Sequence, residues 1–184
     1  SATSNIRTRD DLDNIRTWGF RGDALESLAS VSGFELFTRG EKDYAATRIR
    51  IDGGILRDLS KAPSPVGTRV AANRLYFNTP VRAKFLKGIT TELSHCIDVV
   101  QRHALCQEGA GFQLLHNEKL LLDIPENASL RERVALIWGL GFVRDMLDIE
   151  DERGGFRIRG LIGGPGLNRS QRSHQFFFLN RRPV

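Results

Sequence analysis

Apolar residues recur along this chain in two rhythms. Ala24, Leu25, Leu28 and Ala29 fall on one helical face, in a segment that runs to about Ser32. The same spacing returns at Leu93, Ile97, Val100 and Ala104, with Cys96 beside them, and again at Leu130, Val134 and Ile137. The last stripe opens on Ser129-Leu130-Arg131-Glu132, a capping box in which hydroxyl and carboxylate each satisfy an orphan N–H of the helix start. Thr79-Pro80 marks another start, with Thr79 as N-cap and Pro80 at the first helical position. Earlier, Leu12 and Ile15 give a short amphipathic segment that stops at Gly19.

The other rhythm has period two. Arg48, Ile49, Arg50 and Ile51 alternate into Asp52-Gly53-Gly54, a hairpin turn leading to Ile55 and Leu56. Phe34 to Arg39, Thr68 to Ala72 and Phe156 to Ile162 also read as strands, and Phe112 to Leu115 pairs with Leu120 to Ile124 across Asn117-Glu118. Three further strands are expected: Leu75-Tyr76-Phe77 as a short continuation, Phe142 to Ile149, and Gln175 to Leu179. Within the last, Phe176-Phe177-Phe178-Leu179 is apolar on both faces, the pattern of a central covered strand. Mixed helices and hairpins give an α+β fold, with helices layered on mixed sheets. Ile124-Pro125-Glu126-Asn127 is the expected boundary, dividing the chain into 1–124 and 125–184.

Composition narrows the class. The 184 residues suffice for one domain or two small ones, and 40% hydrophobic content argues against disorder. The chain has no apolar run of about 18 residues, which excludes a spanning helix, and no basic-then-apolar leader. It begins at Ser1 without an initiating Met, so a piece of a longer chain is expected. Cys96 and Cys106 lie on one helix, roughly 15 Å apart, too far to bridge. No CxxC and no metal-ligand spacing occur, so reduced structural thiols are expected and no metal site.

Charge is uneven. The formal net charge is +5, yet Arg153 to Val184 holds seven arginines and no Asp or Glu, leaving a net −2 elsewhere. A basic end segment points to a polyanion, nucleic acid first. Arg157 and Arg159 fit a solvated strand face equally well, because they alternate with Phe156 and Ile158.

The candidate chemistry centres on Trp18-Gly19-Phe20-Arg21-Gly22-Asp23-Ala24-Leu25, a turn poor in side chains that opens into a helix. A helix start offers unpaired N–H donors and the positive end of the helix dipole, an environment that favours phosphate. Gly19 and Gly22 let the backbone approach such a group. Alone, the same pattern describes a helix C-cap followed by a turn.

Three blocks together resemble the MutL family of DNA mismatch-repair ATPases, whose superfamily includes gyrase B subunits, histidine kinases and a heat-shock chaperone. Ala2-Thr3-Ser4-Asn5-Ile6 is close to that family's ATSKI, and Gly19-Phe20-Arg21-Gly22-Asp23-Ala24-Leu25 to GFRGEAL. Val66-Gly67-Thr68-Arg69-Val70 with Leu75-Tyr76-Phe77-Asn78-Thr79-Pro80-Val81-Arg82-Ala83-Lys84-Phe85-Leu86 resembles GTTV…LFFNTPARRKFL. A weaker likeness to FVNGR continues through Phe177-Phe178-Leu179-Asn180-Arg181-Arg182.

The resemblance implies a two-layer helix and mixed-sheet GHKL (Bergerat-type) ATPase domain, incomplete at its N-terminus, followed by a smaller transducer-like domain. It implies ATP and Mg²⁺ as cofactors, with Thr3, Ser4, Asn5, Gly19, Phe20, Arg21, Gly22, Asp23, Ala24 and Thr68 toward ATP. In the family the Gly-Phe-Arg-Gly turn is part of a lid whose amides hold the γ-phosphate, and Thr68's counterpart bonds near the adenine. Arg169, Arg172, Arg181 and Arg182 are expected to follow DNA phosphates without reading sequence. The implied partners are DNA, a second copy on ATP binding, a mismatch-recognition protein, and a downstream nuclease or helicase. The implied location is the bacterial cytoplasm and nucleoid, or a eukaryotic nucleus, with no membrane. Asn5 stands where the family has Lys, and Asp23 where it has Glu. The family's water-activating Glu, Mg²⁺-binding Asn and adenine-binding Asp-Gly motif precede ATSKI and have no counterpart here, and its distal Lys lies beyond Val184. Negligible turnover is therefore expected from this polypeptide alone. The rival reading is a non-enzymatic nucleic-acid-binding α+β domain without a nucleotide site. A gyrase-like branch fits the spelling of the blocks less well.

Overall fold

The structure is a computed structural model that describes residues 23–167 and 174–184. It divides into two compact units, Ser1–Gly88 and Ile89–Val184.

In the first unit, helix α1 (Ala24–Ser30) is followed by strands β1 (Gly33–Arg39), β2 (Ala46–Asp52), β3 (Ile55–Ala62) and β4 (Gly67–Asn73), then by a single turn of helix, α2 (Pro80–Ala83). The four strands form one antiparallel sheet in the order β3-β2-β1-β4. Period two sorts its faces. Phe34 pairs with Ile51 and Leu36 with Ile49, giving an apolar face on which Phe34 is buried. On the other face Glu35 pairs with Arg50 and Gly33 with Asp52. The expected turn is present: Gly53 and Gly54 take φ of 55° and 85°, the left-handed pair that a two-residue hairpin needs. A bulge then interrupts β3, where Ile51 faces Leu56 but Arg50 faces Asp58, leaving Arg57 as the extra residue.

The second unit holds α3 (Ile89–Cys106), β5 (Phe112–His116), β6 (Lys119–Ile124), α4 (Leu130–Trp138), α5 (Leu140–Val143), β7 (Met146–Arg153), β8 (Phe156–Gly163), β9 (Phe178–Leu179) and β10 (Arg182–Pro183). Its strands pair as three antiparallel two-stranded sheets, β5-β6, β7-β8 and β9-β10. The capping box of α4 forms in full, with the Ser129 hydroxyl accepting from Glu132 N–H and the Glu132 carboxylate accepting from Ser129 N–H. Accepting the Ser129 N–H, and then the Ser129 hydroxyl, holds the Glu132 carboxyl below its ordinary range. One core cluster joins Ala104 of α3 to Leu122 and Ile124 of β6 and to Ala128. A second gathers Leu105, Val134 and Val143, with Trp138, Phe142, Phe176 and Phe178 packed against it.

Arg133 of α4 is fully buried and, among the described residues, meets no carboxylate; its guanidinium donates to five backbone carbonyls, those of Ala104, Ala110, Pro125, Glu126 and Ala128, at 2.8–3.2 Å. A buried charge is tolerable only when its donors are met. Here they also satisfy carbonyls of the α3 end and of the bends on either side of the β5–β6 hairpin. Ile124-Pro125, the joint expected between domains, therefore falls inside the second unit, because shared core and Arg133 tie β6 to α4.

Three strand expectations are corrected. Leu75, Tyr76 and Phe77 form a turn, since Arg74 and Tyr76 take φ of 53° and 64°. Phe142 and Val143 are helical, and β7 starts only at Met146. The Phe176–Leu179 run is no central strand among the described residues: β9 has two residues and pairs there only with β10, because Asn180 and Arg181, at φ of 49° and 63°, fold the chain straight back. Phe176 and Phe178 instead pack into the second core, beside Trp138. Cys96 and Cys106 are both free, as expected, and burial raises the Cys106 thiol above its ordinary range. Among the described residues no helix is long and apolar enough to cross a membrane.

Candidate functional site

Seven of the residues expected toward ATP (Thr3, Ser4, Asn5, Gly19, Phe20, Arg21 and Gly22) lie outside the described residues, as do Arg169 and Arg172. The root of the expected lid is described. Asp23 directly precedes α1; its carbonyl accepts the Ser27 N–H at 2.8 Å, and its carboxylate makes no capping bond to the helix. Ala24 is the first helical residue and is exposed.

The opposite end of α1 is closed completely. Ala29, Ser30, Val31 and Ser32 each offer a carbonyl, and each receives one donor from elsewhere in the unit. Gly54 N–H reaches Ala29 at 3.0 Å, Asn78 Nδ2 reaches Ser30 at 2.9 Å, Tyr76 N–H reaches Val31 at 2.7 Å, and Gly53 N–H reaches Ser32 at 3.1 Å. Ala29 and Ser30 are among the carbonyls the helix end leaves orphaned, and Val31 and Ser32 follow directly. Two loops supply the donors, the β2–β3 hairpin tip and the Arg74–Asn78 turn. The Asn78 block, to which sequence reasoning gives no ligand, is thus half of a clamp on the helix that follows the lid. The left-handed Tyr76 aims its N–H at that helix; an apolar Leu-Tyr-Phe run by itself signals only a strand.

Thr68 lies on β4, opposite Thr38 of β1, and the two hydroxyls share a 2.9 Å hydrogen bond. By alternation it stands on the apolar side of the sheet, with Phe34 and Leu36. Among the described residues no three His, Cys, Asp or Glu side chains converge to hold a metal.

The basic C-terminal segment divides by pairing. Arg157 bonds Glu150 across the β7–β8 ladder, and Arg159 reaches Glu108 at 2.8 Å, so both have carboxylate partners. Arg181 is exposed, and its turn is pinned by Gln107 Nε2 donating to its carbonyl at 2.9 Å. Arg182 follows on β10, partly buried.

Comparison with known proteins places these elements. The fold resembles the Aquifex aeolicus MutL ATPase domain solved with ADP, with a TM-score of 0.74 and 27% identity over 97% of this chain and 66% of that one. It resembles equally the N-terminal domain of a DNA repair protein, with a TM-score of 0.74 and 26% identity over 90% and 56%. The class is therefore the α+β GHKL ATPase fold. Along its whole length the chain is 40% identical to the DNA mismatch repair protein MutL of Syntrophobacter fumaroxidans and 41% identical to that of Pseudomonas fluorescens. Residues 134–184 match the family described as DNA mismatch repair protein, C-terminal domain. Over its whole length the chain is similar to MutL DNA mismatch-repair proteins. It spans 27% and 30% of the length of those two relatives.

Proposed function

We propose that this chain carries the lid, the sheet behind it and the following segment of a MutL-type mismatch-repair switch. In this reading ATP orders the lid at Gly19, Phe20, Arg21 and Gly22, whose amides face the terminal phosphate, with Thr3, Ser4, Asn5, Asp23, Ala24 and Thr68 nearby. Mg²⁺ accompanies the nucleotide on ligands outside the described residues. The ordered lid promotes pairing of two N-terminal regions, and slow hydrolysis releases it. The cycle relays mismatch recognition from a recognition protein to a nuclease or helicase, while Arg169, Arg172, Arg181 and Arg182 follow DNA phosphates. One observation carries the reading: α1 is fixed at its far end by four bonds from two loops, while the Asp23 side chain makes no capping bond at its start. A phosphate-driven ordering at the start is thereby transmitted to a sheet that does not yield.

The test is a chimera in which this chain replaces the matching segment of the Syntrophobacter fumaroxidans protein. ATP-dependent association and repair in a MutL-deficient strain are expected, and Asn78→Ala is expected to weaken both without unfolding the protein. A chimera that folds yet neither associates with ATP nor restores repair contradicts the reading.

A further inference from the structure

The end of the four-stranded sheet at the β2–β3 tip holds a shallow cleft of about 360 Å³, lined in part by Asp52, Arg57, Arg74, Phe77 and Asn78. Its electrostatics are unbalanced. The single Asp52 carboxylate faces three guanidinium groups, with Arg74 Nη2 3.0 Å from Oδ1, and Arg50 Nη2 and Arg57 Nε 3.8 and 4.0 Å from Oδ2. All three arginine side chains are more than half exposed. One charge cannot neutralise three, and the exposed guanidinium edges remain available to a further anion.

The backbone is shaped around this cluster. The β3 bulge turns Arg57 toward Asp52 while its neighbour Asp58 still reaches Arg48 on the same face. Gly33 leaves room for the Arg74–Asp52 pair: a Cβ there would stand 3.1 Å from Arg74 Nη2 and 3.2 Å from Asp52 Oδ1. Gly53 does the same for Asn78 and Phe77, at 3.0 and 3.2 Å. Arg74 lies over the Phe77 ring, 4.8 Å from its centroid, and Phe77 as a residue is 45% exposed. Arg48 and Arg69 extend the same face, where five arginines meet the three carboxylates of Glu35, Asp52 and Asp58.

We infer that this cleft binds single-stranded DNA, with Arg57 and Arg74 holding backbone phosphate and a base stacking on the exposed Phe77. Guanidinium groups beside an accessible aromatic ring form the pattern by which proteins hold single strands without reading sequence. A free phosphate would use the arginines but not the ring. The cleft is separate from Thr68, because strand alternation puts Thr68, opposite Thr38, on one face and Asp52, opposite Gly33, on the other. The inference rests on the repair reading above and adds to it a DNA contact in the first unit.

The test is fluorescence anisotropy of the 184-residue chain with a labelled oligothymidylate across a salt series. Arg57→Gln with Arg74→Gln is expected to weaken binding about tenfold and to flatten the log–log salt slope by about 1.4, two phosphate contacts at about 0.7 each. Phe77→Ala is expected to weaken binding about tenfold with the slope unchanged. Arg57→Lys with Arg74→Lys keeps the slope, and circular dichroism checks folding. Should the double Gln variant fail to fold, Arg57→Gln alone, on an exposed bulge, is expected to lower the slope by about 0.7. Arg181→Glu with Arg182→Glu, in the same assay, reports on the C-terminal contact separately. If that pair weakens binding while folded cleft variants bind like the parent, the cleft assignment is overturned and the repair reading stands. If cleft variants alone lose affinity, the cleft stands and the C-terminal contact falls. No binding at all, or complete displacement by equimolar inorganic phosphate, overturns the cleft.

Discussion

Two hairpins in this molecule share one turn and put it to different uses. Gly53-Gly54 joins β2 to β3, Gly154-Gly155 joins β7 to β8, and their φ angles agree within a few degrees, 55° and 85° against 58° and 80°. The first tip is packed: it donates to α1 and borders the arginine cleft. The second is open, with nothing among the described residues within 4 Å of a Cβ at either glycine and Phe156 beside it exposed. Their arginines differ as well. On β8, Arg157 and Arg159 each have a carboxylate of their own, whereas Arg50, Arg57 and Arg74 share Asp52. A segment's formal charge therefore says little about which arginines remain available to a ligand. Local pairing decides that.

The comparison can be broken at several points. The largest effect is expected inside the second unit, where an arginine belongs wholly to the fold. Arg133→Met strips a donor from five backbone carbonyls, buried or part-buried, and is expected to cost about 3 to 5 kcal/mol in urea unfolding. Arg157→Gln, at a surface pair, is expected to change stability by less than about 1 kcal/mol. Equal losses from the two would erase the distinction between arginines that build and arginines that are merely paired. Next come the tips. Gly154→Ala is expected to cost about 1 kcal/mol for its left-handed backbone alone. Gly53→Ala pays that cost and also drives a methyl into Asn78 and Phe77, so about twice the loss is expected. Thermal unfolding of the pair decides whether packing separates the two turns.

The smallest effect is a pH dependence. Glu132 has its carboxyl lowered from an ordinary 4.5, chiefly by accepting the Ser129 N–H and then the Ser129 hydroxyl. A lowered folded-state pKa contributes stability that is complete above the ordinary value and is lost as pH falls through the folded one. The melting difference between the parent and Glu132→Gln is thus expected to be constant at neutral pH and to shrink below about pH 4.5. A difference that grows on acidification contradicts the capping role.

Where the sequence was read correctly, the decisive contacts were local. Asp52-Gly53-Gly54 demands left-handed residues, and Ser129 with Glu132 caps its own helix; neither needs a distant partner. The errors fall where distant partners decide. Leu75-Tyr76-Phe77 has strand composition, but the Tyr76 N–H is taken by Val31, far back in the chain. Phe176 and Phe178 look like covered strand residues, yet the cover is Trp138 and its neighbours rather than a sheet. The basic end segment draws attention by its charge, while acidic partners on β7 and at Glu108 lie outside it in sequence. One signal went unused: Arg133 interrupts the Leu130, Val134, Ile137 stripe on its apolar side, where a charge must be either an error or a structural centre. Of the candidate site, the family blocks were legible as spellings. Their physical union, Asn78 and Tyr76 closing the end of α1, was not.

The central claim is that the loop ahead of α1 closes on the terminal phosphate of a nucleotide while the clamp holds the helix's other end. Amide hydrogen exchange in the chimera, with and without a non-hydrolysable ATP analogue, measures it directly. The account predicts strong analogue-dependent protection at Gly19 to Leu25 and little change at the Gly53, Gly54 and Tyr76 amides, which already donate to the end of α1. Protection that leaves Gly19 to Leu25 untouched while the chimera demonstrably binds the analogue would contradict it.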